Sequence, residues 1–394
     1  MRLVHLADLH LGFRQYQRLT PGGINQREAD VARTFESAID RIIELAPEVI
    51  LFAGDIFHSV RPSNPAILHA FIHFSRLMQQ LPQARVVMVA GNHDTPRSAE
   101  TGSILQLFSR LGIDVVEREP LRVEMPEYDL AVLCVPDAPG MLPRFEPDPK
   151  FKHNVLLFHG EVEGVIPVVG ASPERAARIV SLRDLNAAAF DYCALGHYHV
   201  HRQVDENAWY AGATDYTSTH VWQELTEERA MKLEGKSFIE WHFESRTMIP
   251  RFLKPSREFI DLPPISAEGL AVAELDERIR TTVELAPQSI DDKIIRLRLH
   301  DVPAHVAREL DHRVIREFKK RALNFFLDVR RPDRLRRSAS GAPGKRPSLD
   351  EVLKETLTTR LLPGDIDRNS LVELGGRYLS QADSLAATAA LPEI

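Results

Sequence analysis

Residues 49–58, VILFAGDIFH, decide the fold of this chain. Five apolar residues in a row, preceded by Pro47 and followed by Gly54 and Asp55, predict a short strand that is buried on both faces and ends in a loop. A carboxylate at the end of a buried strand needs a partner, because burying it alone costs several kcal/mol. We therefore expect Asp55 to be protonated, ion-paired or bound to a metal ion.

Four further apolar runs end in the same way, with residue types that commonly bind metals. In chain order these residues are Asp8, His10, Asn92, His93, Asp94, His159, His197 and His199. Any one of these histidines alone would be interpreted as an ordinary core or surface residue, but five strand ends rarely carry such residues by chance. The set predicts a binuclear metal site at one edge of a sheet.

The residue types of this set indicate the chemistry. Aspartate, histidine and asparagine without a thiolate form a ligand set of intermediate hardness, which suits Mn²⁺, Fe²⁺ or Zn²⁺. Two such ions, ~3.5–4 Å apart, need a bridging carboxylate, and Asp55 on the central strand is the candidate. An ion pair of this kind acidifies a water and clamps the oxygens of a phosphate ester. His93, with Asp94 as its expected orienting carboxylate, can supply a proton to the leaving oxygen.

Composition sets few limits on function. The 394 residues are 44% hydrophobic and 27% charged, as expected for two or three globular domains. The formal net charge of −7 neither supports nor excludes DNA binding, which would need a local basic surface. Cys134 and Cys193 lie in apolar runs and are expected to be core residues of a cytoplasmic protein. The first strand leaves no room for a cleavable signal, and no apolar run reaches the ~20 residues of a membrane span.

An α/β domain is expected over residues 1–250. Its strands occur both in βα units and in hairpin-like succession, which predicts a two-sheet sandwich flanked by helices. Helices are predicted at 27–45, 65–81 and 96–111 from apolar residues at helical spacing. The basic and aromatic loop at residues 13–25 has two interpretations, a nucleic-acid contact or a solvated loop.

Three further segments follow. A strand-helix-strand-helix-strand pattern over residues 256–330 predicts a small α+β domain, with one helix at 304–321. Residues 331–347 are rich in Arg, Ser, Ala, Gly and Pro and predict a flexible linker. Residues 348–394 carry two amphipathic helices, predicted at 348–361 and 369–381. Short tethered helices cannot bury their apolar stripes alone, so we expect them to dock on a partner.

Five motifs together resemble the calcineurin-like metallophosphoesterase superfamily. In chain order they are Asp8-x-His10, Gly54-Asp55, Gly91-Asn92-His93-Asp94, His159-Gly160 and Gly196-His197-x-His199. The fuller strings at residues 8–16 and 54–58, with an appended α+β domain, narrow the resemblance to the SbcD-type exonuclease subunits of double-strand-break repair and their archaeal and eukaryotic counterparts. Residues 214–236 depart from the family's usual pattern, so the resemblance does not predict the local shape beside the site.

The resemblance implies a ligand assignment and a function. One ion would be bound by Asp8, His10, Asp55 and His199, and a second by Asp55, Asn92, His159 and His197. His93 and His58 would assist phosphodiester cleavage. The resemblance implies a Mn²⁺-dependent enzyme that is a 3′-to-5′ exonuclease on double strands and an endonuclease on single strands. It also implies a homodimer, a DNA-binding cap at residues 256–330, and an SbcC-like SMC-type ATPase as the partner bound through residues 348–394.

Two other functions remain open. A phosphodiesterase or phosphatase acting on small molecules or nucleotides would share every metal ligand, but it has no evident use for a cap domain and tethered helices. A scaffold that only binds a partner would not need the complete ligand set or the two histidines His58 and His93. The chain has no Gly-x-x-x-x-Gly-Lys-Ser/Thr motif, so it is not expected to bind ATP through a P-loop.

Overall fold

The computed structural model describes residues 1–96, 102–166, 176–286, 289–332, 348–359 and 367–389. The chain divides into two compact units, Met1–Arg331 and Pro332–Ile394, which are described separately. Most of the predicted linker, residues 333–347, lies outside the described residues. In the described parts of the chain, no helix combines the length and the apolar character that crossing a bilayer requires.

Strands and helices are numbered here in chain order. The strands are β1 (Arg2–Leu6), β2 (Val49–Ala53), β3 (Arg85–Val89), β4 (Asp114–Val116), β5 (Leu121–Met125), β6 (Leu130–Val135), β7 (His153–His159), β8 (Glu161–Val162), β9 (Ile179–Val180), β10 (Tyr192–Gly196), β11 (Arg202–Asp205), β12 (Ala208–Tyr210), β13 (Ser237–His242), β14 (Thr247–Phe252), β15 (Phe259–Asp261), β16 (Ile265–Ser266), β17 (Ile294–His300) and β18 (Asn324–Val329). The helices are α1 (Gln26–Leu45), α2 (Asn64–Gln80), α3 (Gln106–Ser109), α4 (Leu182–Leu185), α5 (Val221–Ala230), α6 (Val272–Glu284), α7 (Ala304–Glu309), α8 (His312–Arg321), α9 (Leu349–Thr359) and α10 (Arg368–Ala389).

The first unit contains the predicted two-sheet sandwich. One sheet has the order β14-β13-β1-β2-β3-β4 and the other β11-β12-β10-β7-β6-β5. Apolar side chains such as Leu51 and Leu157 fill the space between the sheets. Helices α1 and α2 cover the outer face of the first sheet, where Phe74 packs on Phe35 and on Phe52. The α/β fold class predicted from the sequence is therefore confirmed.

The sequence predicted that all five ligand-bearing strand ends lie at one edge of a single sheet, and this prediction is wrong. Strands β1, β2 and β3 pair in parallel in the first sheet, whereas β7 and β10 pair in parallel in the second. The five strand ends therefore come from two sheets that face each other. The candidate ligands meet where the carboxyl ends of both sheets converge, because parallel neighbours end on the same side.

Three predicted helices differ from the structure. Of the helix predicted at 96–111, α3 covers only Gln106–Ser109, and residues 97–101 lie outside the described residues. The helix predicted at 304–321 is two helices, because Leu310 has extended backbone (φ −54°, ψ 146°) and Asp311 caps α8 through its side chain. Helix α10 continues to Ala389, past the predicted end at 381.

The α+β part of the first unit contacts the sandwich through charged side chains. It contains the sheet of β15, β17, β16 and β18, with β17 at its centre, and helices α6 to α8. Arg257, just before β15, donates to both carboxylate oxygens of Asp30 on α1, at 2.8 and 2.9 Å. Arg18, in the loop before α1, donates to the carbonyl oxygens of Lys320 and Ala322, at 2.9 and 3.0 Å. These bonds hold the basic helix α8 beside the loop that follows the first strand.

His5 on β1 is a buried core histidine. Its side chain is fully buried between the sheets, and its Nδ1 lies 2.9 Å from the hydroxyl oxygen of Tyr192. Burial, and secondarily the charge of His201, lowers the pKa of His5 to about 3. His5 is therefore neutral in the folded protein at every pH at which the protein is expected to work.

We predict that His5 makes the fold acid-sensitive. The unfolded chain protonates His5 near its ordinary pKa of 6.5, whereas the folded chain binds that proton only near pH 3, so stability is lost as pH falls through this interval. The loss is at most about 1.4 kcal/mol per pH unit. Urea unfolding in EDTA at about pH 7 and about pH 5.5 should show a loss in the wild type that exceeds the loss in His5→Gln by roughly 1 kcal/mol. The exposed His220→Gln variant is the control, and equal losses in all three proteins would contradict the prediction.

Candidate metal centre

The exit loops of β1 and β2 remain paired after the strands end. The Asp8 amide donates to the Gly54 carbonyl at 3.0 Å, and the His10 amide donates to the Asp55 carbonyl at 2.9 Å. Asp8, His10 and Asp55 all have positive φ, at 53°, 46° and 51°. Such backbone is uncommon outside glycine and is often found at functional sites. The interlocked loops hold three candidate ligands in this conformation at one place.

Two glycines allow the backbones to approach closely at this point. A Cβ at Gly196 would overlap the carbonyl oxygen of Ala53 on the opposite sheet. A Cβ at Gly91 would overlap the backbone and carboxylate of Asp55. The glycines in the Gly91-Asn92-His93-Asp94 and Gly196-His197 motifs therefore bring the strand ends of both sheets within ligand distance of each other.

The first group of side chains consists of Asp8, His10 and His199, whose ligand atoms lie within 4.8 Å of one another. The Nε2 atoms of His10 and His199 are 3.0 Å apart. Asp55 Oδ2 lies 3.7 Å from His10 Nε2. These four residues are the set that the resemblance assigned to the first ion.

The second group consists of Asp55, His159 and His197, again within 4.8 Å. The amide oxygen of Asn92 lies 3.1 Å from His159 Nε2 and 3.2 Å from His197 Nδ1. Asp55 Oδ2 lies 3.6 Å from His159 Nε2, so this one oxygen faces both groups. The structure therefore brings together all seven predicted ligands, with Asp55 between the two groups.

The chemistry of this donor set fits divalent cations. Asp8 and Asp55 are at most 1% exposed, and buried carboxylates need compensating positive charge. Burial raises the pKa of Asp8, whereas the pKa of Asp55 is lowered because His159 and His93 outweigh its burial. Imidazole nitrogens, carboxylate oxygens and one amide oxygen converge without a lysine or arginine among them. Two divalent cations bound by these residues would supply the missing charge.

Outer contacts fix the orientation of the histidines. His159 Nδ1 donates to the Ala53 carbonyl at 2.7 Å, so a neutral ring presents the lone pair of Nε2 to the site. His197 Nε2 lies 3.5 Å from Glu161 Oε1. His199 Nδ1 lies 3.6 Å from Glu224 Oε1. In each of these three histidines, the nitrogen that faces away from the site thus lies within 3.6 Å of an oxygen atom.

His93 and His58 lie beside the first group. Their rings stack, with centroids 5.1 Å apart, and the His93 ring is 4.8 Å from that of His10. His93 Nδ1 donates to the His58 carbonyl at 2.8 Å, which leaves its Nε2 free to exchange a proton with a substrate. Burial, followed by the charge of His93, lowers the pKa of His58 to about 4. The His58 ring is therefore neutral near neutral pH.

Asp94 does not orient His93, contrary to the prediction. Its carboxylate accepts hydrogen bonds from the amides of Ile56 and Phe57, both at 3.0 Å, and of Gly91, at 3.1 Å. The His93 ring is oriented by a backbone carbonyl instead. Burial and the neighbouring charge of Asp55 raise the pKa of Asp94 to about 7. Asp94 therefore connects the loop after β3 to the loop after β2.

Sequence reasoning missed the outer carboxylates Glu161 and Glu224. Glu224 lies on α5, inside the segment 214–236 that departed from the family's pattern, and it is buried next to Lys236. One signal was present, because Glu224 and Glu228 are four residues apart on one helix. Like charges at that spacing destabilise an exposed helix, so the pair indicates a buried cation nearby.

Residues 1–201 match the family described as calcineurin-like phosphoesterase. The DNA double-strand break repair protein Mre11 of Methanocaldococcus jannaschii is 28% identical over 276 residues, which cover 66% of this chain and 69% of the relative. Mre11 of Methanococcus maripaludis is 29% identical over 254 residues, 60% of this chain and 62% of the relative. Mre11 of Methanosarcina acetivorans is 23% identical over 390 residues, 85% of this chain and 58% of the relative.

We predict that Asp55 and His93 separate metal binding from turnover. Asp55→Ala should lose both ions, because one Asp55 oxygen faces both ligand groups. His93→Gln should keep both ions and lose roughly a hundredfold or more in the hydrolysis of a chromogenic phosphodiester. Metal analysis of the two purified variants checks this. An Asp55→Ala protein that holds two ions per chain, or a His93→Gln protein stripped of them, would contradict the assignment.

Proposed function

We infer, from the premise that this chain belongs to the calcineurin-like phosphoesterase family, that it is a metal-dependent DNA nuclease of double-strand-break repair. The observation that carries the proposal is the position of Asp55 Oδ2, which faces both ligand groups. The His93 ring lies next to His10 of the first group. The proposed activities are a 3′-to-5′ exonuclease on duplex DNA and an endonuclease on single strands. The similarity to three archaeal Mre11 proteins supports the choice of DNA repair.

The proposed roles of the residues follow from their positions. Two divalent ions, bound by the seven ligands, would supply an acidified water and positive charge for the phosphoryl oxygens. Asn92 and His159 line the second group, and their contacts hold that side of the site rigid. His93, with its Nδ1 bonded to a carbonyl, would donate a proton from Nε2 to the leaving oxygen. We propose Mn²⁺ as the metal because the family resemblance implies it, and the ligand set, which also suits Fe²⁺ or Zn²⁺, is compatible with it.

A basic surface beside the loop that follows β1 supports DNA as the substrate. Arg313, Arg316 and Lys319 on α8 are exposed. Lys319 also lines a cavity of about 540 Å³ together with Tyr16 and Arg18 of the loop after β1. Cations that contact phosphates and an aromatic ring that stacks on bases are the usual means of binding a nucleic-acid strand. We propose that residues 256–330 serve as a DNA-binding cap through this surface.

Exposed apolar side chains on α2 are an argument for a homodimer. On α2, Leu68 is 60% exposed and Ile72 is 50% exposed, one helical turn apart. Apolar side chains this exposed on adjacent turns are typical of a helix that packs on a partner. We propose that two copies of the chain associate through this face.

Exposed apolar side chains on the C-terminal unit are an argument for a partner protein. Helices α9 and α10 pack closely, since a Cβ at Gly375 would lie 3.0 Å from Leu353 Cδ2. Leu349 and Tyr378 are nevertheless 71% and 65% exposed. We propose that this helical hairpin binds an SbcC-like SMC-type ATPase, as an amphipathic helix binds a groove. The proposed location is the cytosol, supported by two free, buried cysteines.

We predict that the protein with Mn²⁺ degrades linear duplex DNA from 3′ ends and nicks single strands. The double variant Arg316→Glu, Lys319→Glu should lose roughly tenfold or more on DNA, because each lost phosphate contact weakens binding. It should hydrolyse a small chromogenic phosphodiester at the wild-type rate. Gel assays on end-labelled DNA, run beside the chromogenic assay, measure both.

Arg278→Glu, at an exposed position on α6, is the control and makes half of this change of charge away from α8. It should cut DNA like the wild type. Absence of nuclease activity with any divalent metal, together with fast hydrolysis of small phosphodiesters, would favour a small-molecule phosphodiesterase instead.

We predict that the double variant Leu349→Asp, Tyr378→Asp leaves Mn²⁺-dependent cleavage of free DNA ends nearly intact. It should no longer co-purify with the ATPase, because both apolar side chains are exposed on the hairpin. Arg377→Asp, at a neighbouring exposed position, should retain the ATPase. Co-purification of the double variant at the wild-type level would rule out this surface.

A further inference from the structure

The side chain behind His199 belongs to a buried charged cluster. Glu224 Oε1 lies 3.6 Å from His199 Nδ1, the nitrogen that faces away from His10. Glu224 is 7% exposed and Lys236 is 2% exposed. Lys236 donates to the other carboxylate oxygen of Glu224, and Ser218 donates its hydroxyl hydrogen to Oε1. Glu224 is thus held on both oxygens while it faces the ring of His199.

Lys236 also reaches the backbone of the same histidine. Its Nζ donates to the His199 carbonyl at 2.9 Å and lies 3.0 Å from Glu228 Oε1. The other carboxylate oxygen of Glu228 accepts a hydrogen bond from the Tyr216 hydroxyl at 2.6 Å. The ammonium group therefore donates to Glu224 and to the His199 carbonyl and forms an ion pair with Glu228. His199 is contacted at its ring by Glu224 and at its carbonyl by Lys236.

The charges of this cluster do not balance by themselves. Glu224 and Glu228 carry two negative charges against one positive charge on Lys236, and all three side chains are buried. Uncompensated buried charge is costly, so the remaining negative charge favours a cation on the far side of the His199 ring. A carboxylate behind a metal-binding histidine has two known effects, since it fixes the ring's tautomer and makes the other nitrogen a stronger ligand.

We propose that Glu224 is a positioning residue for the metal centre, which acts through His199 and is itself held by Lys236. The inference rests on the proposed metal-dependent function. It assigns a role to residues 214–236, since α5 places this carboxylate behind the first ligand group. The role concerns one ion of the two, because His199 belongs to the group of Asp8 and His10 and not to that of His159 and His197.

The experiment is a Mn²⁺ titration of the full-length protein, with free Mn²⁺ followed by electron paramagnetic resonance. Glu224→Gln should lower the affinity for one of the two ions by about ten- to a hundredfold and leave the affinity for the other unchanged. Glu240→Gln is the matched control, because Glu240 is likewise a buried carboxylate, 2% exposed, and is paired with Arg251 and His242. It should bind both ions like the wild type.

A double-mutant cycle with His199→Ala tests whether Glu224 acts through the histidine. In that background Glu224→Gln should have no further effect on Mn²⁺ affinity. Wild-type affinity of both ions in Glu224→Gln would overturn the proposal, and so would an equal loss in the presence and absence of His199. Thermal unfolding in EDTA reports stability separately. If Glu224→Gln does not fold, Glu224→Asp serves, because it keeps the charge next to Lys236 but withdraws the carboxylate from His199, and it should weaken binding of the same ion. A wild-type protein that binds two Mn²⁺ but cuts no DNA would refute the nuclease proposal and leave this one standing.

Discussion

The close approach of the two sheets at the carbonyl oxygen of Ala53 is the constraint on which the metal centre depends. That oxygen accepts the Nδ1 hydrogen bond of His159 from the opposite sheet, and Gly196 lies against it where no side chain would fit. Because Ala53 ends β2, the next residues, Gly54 and Asp55, begin at the junction of the sheets. The position of Asp55 between the two ligand groups follows from this contact rather than from the loop alone.

The site also shows how a protein keeps many charges in a dry interior. Each buried carboxylate has a specific partner: amides for Asp94, imidazoles for Asp55 and an ammonium group for Glu224. Removing one partner would leave a buried charge alone, which is more costly than losing the attraction itself. These contacts help to hold the metal ligands within a few tenths of an ångström of their positions.

The sequence allowed the ligands to be predicted because each one follows a short apolar strand directly. Such a signal is local, as for Asp55 after residues 49–53. Glu224 could not be found in this way, because its partners His199 and Lys236 lie on other elements and only the tertiary fold brings them together. Asp94 was misassigned because it is adjacent to His93 in sequence, which suggested a contact between the two side chains. In the structure the Asp94 carboxylate instead accepts hydrogen bonds from backbone amides. The distribution of ligands over two sheets depends on strand order, which periodicity does not contain.

The pairing of β1 with β13 affects how the chain folds during synthesis. Arg2 is opposite His242, so the first strand of the protein finds its neighbour on that side only after some 240 residues have been made. At about 5–20 residues per second this takes roughly 12–50 s, during which one edge of β1 has no strand beside it. Pairings this distant in sequence fold slowly and expose the nascent sheet to aggregation. We expect the nascent chain to need a chaperone until β13 emerges, and the metal centre to form only at that late stage.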